Sequence, residues 1–191
     1  MQDDREEKIR GEAWENAFQT YALSYIMSEK AKKLGKRRRL LTFLTFLSPL
    51  VVGAVALGYG QKDNTLKYAL MAFIPLAISQ VIFGLWSLVA RWDEDFSYFV
   101  ESSIANANLS DEFKECANIP QSDLVTLEKR ISVTNARYGE RGVQDKKIDL
   151  SNKDRNRGMR FALIKFQWPC AGCKEKPLSM SRTWCKICGD I

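Results

Sequence analysis

Two Cys-x-x-Cys pairs, Cys170/Cys173 and Cys185/Cys188, stand near the end of the chain with the eleven residues "KEKPLSMSRTW" between them. Four thiols at that spacing raise three chemistries: a metal centre, disulfides or thiol redox exchange. Each pair can grip one edge of a tetrahedron, and the intervening loop joins the two knuckles, a pattern that suits zinc. Gly189, just after the second pair, suits the tight turn that aims backbone N–H groups at sulfur. Redox use requires a thioredoxin-like βαβ context, which is not visible. A catalytic zinc ion keeps an open coordination position, and four cysteines close it. The reading is a structural Zn2+ ion on Cys170, Cys173, Cys185 and Cys188. Cys116 stands alone in "DEFKECANIP" and reads as a small buried residue. Histidine is absent from the 191 residues, which removes Ser-His-Asp and Cys-His nucleophile systems and a His general base. With no Walker loop or dinucleotide glycine motif either, no enzyme is expected.

What positions the cysteines lies upstream. Residues 40–60, "LLTFLTFLSPLVVGAVALGYG", and 68–90, "YALMAFIPLAISQVIFGLWSLVA", carry no charged side chain. Each reaches the roughly 20 residues that an α-helix needs to cross a bilayer core of about 30 Å. The soluble alternative is a buried helical hairpin. The membrane reading gives two antiparallel spans joined by the short link "QKDNTLK", which includes Lys62, Asp63 and Lys67. The net charge of +6 is uneven, because "KAKKLGKRRR" at residues 30–39 holds seven cations and no acid. By the positive-inside rule this run, with Arg91 after the second stretch, places both termini in the cytoplasm. A reducing cytoplasm disfavours disulfides, which favours the metal. Lys32, Lys33, Lys36, Arg37, Arg38 and Arg39 are then expected to meet anionic lipid headgroups. Direct nucleic-acid binding is not expected, since no stacking aromatics interleave with those cations.

The rest reads as helix. Trp14, Phe18, Tyr21 and Tyr25 recur at steps of three and four, giving an amphipathic helix over residues 4–34 and a break or hinge at Gly35. Trp92, Phe96, Phe99, Val100 and Ile104 extend the second span, with Asp93, Glu94 and Asp95 level with the basic run. Trp14, Phe18, Trp92 and Phe96 are taken as packing residues. Further helices are expected over 110–117 and over 122–138, the latter with Ser122 as candidate N-cap. Residues 139–158 are polar and read as a loop or an exposed helix, and "RFALIKF" leads into the tail. The expected fold is an all-α membrane protein: an N-terminal amphipathic helix and basic run (1–39), a two-helix transmembrane hairpin (40–90), a cytoplasmic helical bundle (91–166) and a small zinc knuckle (167–191).

Thr42, Thr45, Pro49 and Gly53 share one helical face, and Gln80, Gly84 and Ser87 share another. Thr42, Thr45, Gln80, Gly84 and Ser87 are therefore candidates for helix contacts or, in an oligomer, for a pore wall. The helix–hairpin–helix organisation resembles the SLATT family, the two-transmembrane effector domains associated with SMODS nucleotidyltransferases and SLOG sensors. The tail is similar to a subgroup signature, C-x-x-C…P-x-S-M…C-x-x-C-G, through Cys170, Cys173, Pro177, Ser179, Met180, Cys185, Cys188 and Gly189. The resemblance implies a bacterial antiphage or conflict-system effector that oligomerises and permeabilises the inner membrane when triggered. It also implies a homo-oligomer whose trigger comes from a sensor protein, a nucleotide second messenger or a reverse-transcriptase partner. The alternative is a non-conducting, membrane-anchored adaptor that recruits a partner through its helices and zinc tail.

Overall fold

A computed structural model describes residues 2–59, 64–120 and 123–190. It forms five helices: α1 Gln2–Tyr59, α2 Asn64–Val89, α3 Trp92–Ala117, α4 Leu124–Asp145 and α5 Asn152–Phe166. No strand occurs among the described residues. Gly60 at the end of the first expected span, Gln61, Lys62 and Asp63 of the expected link, and the candidate cap Ser122 lie outside them. Helix α4 starts instead from Asp123, whose carboxylate accepts the Thr126 N–H at 3.2 Å.

The membrane part of the expected fold is corrected. Among the described residues no helix is long and apolar enough to cross a membrane. This overturns the transmembrane hairpin at residues 40–60 and 68–90, and with it the inner-membrane location and the cytoplasmic placement of both termini. Polar and helix-weakening residues divide both stretches into short apolar runs: Thr42, Thr45, Pro49 and Gly53 in α1, and Pro75, Ser79, Gln80, Gly84 and Ser87 in α2.

The chain divides into two compact units, Met1–Glu29 with Phe99–Ile191, and Lys30–Tyr98. In the first, α1 uses two adjacent faces. Ala13, Ala17, Thr20, Ser24 and Met27 are all buried and recur at steps of four and three, a seam of mostly small side chains. Small residues let α3 approach closely enough for Ser110 Oγ to donate to the Ala17 carbonyl at 2.8 Å, and Ser103 Oγ to that of Ser24 at 2.9 Å. The neighbouring aromatic face meets α5 and the start of the tail. Tyr21 and Tyr25 stack on Phe161 with centroids 5.5 and 3.9 Å apart, and Phe18 stacks on Trp168 at 5.2 Å. Helix α4 closes the bundle through Leu127, which packs with Cys116 and Ile119, and through Tyr138, edge-on to Phe113. Cys116 is fully buried, as its isolation suggested.

Ser102, Asn106, Arg141 and Asp145 form a buried polar network in this unit. The Asp145 carboxylate accepts from Ser102 Oγ at 2.8 Å, Asn106 Nδ2 at 2.8 Å and Arg141 Nε at 3.2 Å. Such groups are stable inside a protein only when paired, and here the donors converge on one carboxylate.

In the second unit α1 runs unbroken through Gly35, contrary to the expected hinge. A Cβ there would stand 3.1 Å from Phe96 Cε2, so the glycine permits a close approach by an aromatic ring. Arg38 pairs with Asp93 at 2.6 Å and lies 4.8 Å over the Phe96 ring, which realises the expected link between the basic run and the acids after α2. Lys32, Lys33, Lys36, Arg37 and Arg39 are exposed. Gln80 Nε2 donates to the Leu44 carbonyl at 3.0 Å, joining α2 to α1. Thr42 and Thr45 donate back to the carbonyls of Arg38 and Leu41, while Gly84 and Ser87 are half-buried.

Candidate metal centre

Helix α5 is the platform for the cysteine tail. It begins at Ser151, whose hydroxyl accepts the Asp154 N–H at 3.1 Å. It ends at Gln167 in the left-handed conformation, φ 55°, which turns the chain out of the helix just before Trp168. Pro169 comes next, and Cys170 begins the first knuckle.

Two similar turns then present the sulfurs. In the first, Lys174 N–H donates to the Cys170 carbonyl at 2.8 Å, and Lys174 takes φ 62°. In the second, Gly189 N–H donates to the Cys185 carbonyl at 2.8 Å. A side chain at Gly189 would collide with Thr183 and bring its Cβ within 2.7 Å of that carbonyl, so only glycine fits. The first pair needs a small residue too: a Cβ at Gly172 would stand 3.3 Å from the Cys185 sulfur and 2.9 Å from Ile187 Cδ1.

The four sulfurs of Cys170, Cys173, Cys185 and Cys188 all lie within 4.8 Å of one another. Cys170 Sγ is 3.9 Å from Cys185 Sγ, and Cys173 Sγ is 3.8 Å from Cys188 Sγ. A disulfide would require about 2.05 Å. A tetrahedron of thiolates about 2.3 Å from a central ion has edges of about 3.8 Å. The cross-pair spacings fit a shared ion, and the five cysteines are unbridged. The knuckle backbone favours thiolate: the N–H groups of Cys188 and Ile187 lower the Cys185 pKa to about 6. Burial pushes the Cys188 thiol up, a cost that a bound cation reverses.

Sequence reading missed the residues that hold this centre against α5. Arg160 is buried, with Nε donating to the Ser179 carbonyl at 2.6 Å and Nη1 to the Cys188 carbonyl at 2.8 Å; Nη1 also lies 3.9 Å from Cys188 Sγ. One turn earlier, Asn156 Nδ2 donates to the Lys186 carbonyl at 3.0 Å. The guanidinium offsets the negative charge that four thiolates concentrate. Below it Cys170, Cys185 and Cys188 share a core with Phe18, Ala162 and Leu163.

One protein family, described as "Mobilome CxxCx(11)CxxC protein", matches residues 10–191. The match is consistent with the cysteine-rich tail that carried the subgroup signature, and it does not support SLATT, whose resemblance was drawn on the helix–hairpin–helix organisation. No curated protein and no solved structure matches the chain.

Proposed function

The chain belongs to the mobilome CxxCx(11)CxxC family, and we propose that it is a non-enzymatic adaptor in a mobile-element conflict system, recruiting a protein partner through a zinc-closed tail. Zinc is the metal that an all-cysteine tetrahedral site with no open position suits, and its role is structural. The observation that carries the recruiting role is the loop between the knuckles. It holds Leu178 86 % and Trp184 81 % exposed, although three of the four cysteines of the tail are buried. Lys174, Lys176, Arg182 and Lys186 are exposed in the same tail. Large exposed apolar anchors in a tail that also exposes four cations suit a partner that offers an apolar pocket and carboxylates. That partner is the sensor or a reverse transcriptase encoded nearby, and its docking triggers growth arrest.

The test is a photo-crosslinking amino acid at position 184, with exposed Val125 as the control position, in cells that also express the neighbouring genes. A covalent band at 184 only, lost with Leu178→Ser while zinc content holds, supports recruitment. Equal labelling at both positions, or none, removes it.

A second feature supports a homo-oligomer. On α2, Ile78, Ile82, Leu85, Trp86 and Val89 are each more than half exposed. An apolar surface of that kind marks an interaction face, and a second copy of α2 offers a matching one. Light scattering on the purified chain should give a multimer, and Ile82→Glu with Trp86→Glu should reduce it. A monomeric wild-type chain would overturn this part.

A further inference from the structure

Beside α1 in the first unit lies a cavity of about 650 Å³, lined by Gly11, Trp14, Lys114, Lys165, Phe166 and Trp168. Its size falls in the range of small-molecule sites, and its wall combines flat apolar surface with a few cations, as such sites do. Phe166 meets Trp14 and Trp168 edge-on, with centroids 6.2 and 5.5 Å apart, so ring faces and edges are both on offer. The Lys114 ammonium is held in place, 5.2 Å over each of the Tyr21 and Phe166 rings and 3.0 Å from Asp111 Oδ1. Lys165, in the last turn of α5, is exposed at the cavity.

Gly11 forms the α1 side of the cavity together with Trp14. It sits inside helix α1, where glycine is less stable than alanine. Close packing explains Gly158, where a Cβ would stand 2.8 Å from the Ala22 carbonyl oxygen, whereas Gly11, like Gly139 and Gly142 on α4, has no such neighbour. At Gly11 a Cβ would meet nothing within 4 Å. No neighbour forbids a side chain there, and any long one would occupy the cavity. The glycine keeps that space open.

We propose that this cavity binds a small anionic aromatic molecule of mononucleotide size, its ring against Trp14, Phe166 and Trp168 and its anion on Lys114 and Lys165. Stacking on indole and phenyl faces is tolerant of ring identity, and two ammonium groups supply the charge selectivity. The site is separate from the tail surface proposed for partner docking, so the two readings stand or fall apart.

The test is isothermal titration of the full, zinc-loaded chain with AMP and GMP, with adenosine and inorganic phosphate as the two half-ligands and indole-3-acetate as a carboxylate-bearing ring. The expected result is saturable binding by the nucleotides or by indole-3-acetate, at least tenfold tighter than by adenosine or phosphate. The better of the two anionic classes identifies the ligand's source. Lys165→Met should weaken that binding about tenfold, and Gly11→Leu should abolish it while leaving helix content and zinc stoichiometry intact. Absence of saturable binding by every probe, or binding that Gly11→Leu leaves unchanged, overturns the proposal.

Discussion

Replacing Arg160 by methionine tests whether the metal centre depends on the helix that carries it. The side chain keeps its length and loses its charge and its donors. Two carbonyls, those of Ser179 and Cys188, lose partners at 2.6 and 2.8 Å. Hydrogen bonds from charged donors are worth about 1.5–3 kcal/mol each, which bounds the loss at about 3–6 kcal/mol. Ser179 is exposed, so water can take over at its carbonyl. That brings the expected loss to about 3 kcal/mol. Both bonds exist only while the tail lies on α5, so the loss falls on the docked, metal-loaded form. A loss of about 3 kcal/mol is about a hundredfold in zinc affinity, in the range found for residues that orient metal ligands. Competition against a chromophoric chelator measures it, with one zinc ion per chain as the starting stoichiometry. Arg160→Lys should fall between, since an ammonium can replace one bond but not the planar fork. Zinc affinity of Arg160→Met within twofold of wild type, with a lowered Tm, would refute the reasoning and leave Arg160 a bundle residue only.

Four further outcomes are expected. Gly158→Ala should lower stability by about 1–3 kcal/mol in denaturant unfolding, since its Cβ would meet the Ala22 carbonyl and Ile26; Gly139→Ala, in open space on α4, should raise it by up to about 1 kcal/mol. Asp145→Ala should cost about 1–3 kcal/mol by the same measurement, because the buried donors of Ser102 and Asn106 lose their acceptor while Arg141 keeps Glu101 at 2.9 Å. In the metal-free chain the Cys185 thiolate should be visible at 240 nm with a midpoint near pH 6, and the signal should vanish in Cys185→Ser. Its folded pKa lies below the unfolded value, so the stability it contributes is present above the unfolded thiol pKa and lost as pH falls through about 6. Chelation should change the fluorescence of Trp168 and Trp184, which flank the ligands, while the far-ultraviolet helix signal of α1–α4 persists; collapse of that signal would show that the metal organises the whole bundle.

The ligand set was legible in the sequence because it is local. Two pairs and a loop of fixed length constrain four sulfurs whatever surrounds them. The residues that aim them were not, because Asn156 lies in a polar stretch and Arg160 opens a short apolar segment, and the carbonyls they bond come from the tail, 19 to 30 residues further on. A signal was nevertheless present: "SNKD" at Ser151 to Asp154 is an N-cap pattern, and it marks where α5 begins. On α1 the conspicuous aromatic face drew attention from the adjacent seam of Ala13, Ala17, Thr20, Ser24 and Met27, whose small side chains signal close helix approach. Gly35 misled for a related reason. A glycine in a helical pattern reads as a break when only local propensity is considered, and the Phe96 ring that uses the space is some sixty residues away in sequence.

The tail's place in the core bears on what kind of device it is. A zinc knuckle that served only as a detachable handle would bury its cysteines among its own residues. Here Cys170, Cys185 and Cys188 complete a cluster with Phe18 from α1 and Ala162 and Leu163 from α5, and Trp168 stacks on Phe18 as the chain enters the first knuckle. A metal held by the four cysteines would therefore fix part of the core shared with α1 and α5, and with it the ends of the loop bearing Leu178 and Trp184. A partner that seated on those two side chains would then be coupled to the α1–α5 contact through the shared cysteine core. Coupling of this kind is reciprocal by thermodynamic necessity. The family's fixed eleven-residue loop is what such a device requires, because an insertion between the knuckles would move the exposed anchors without disturbing the four sulfurs.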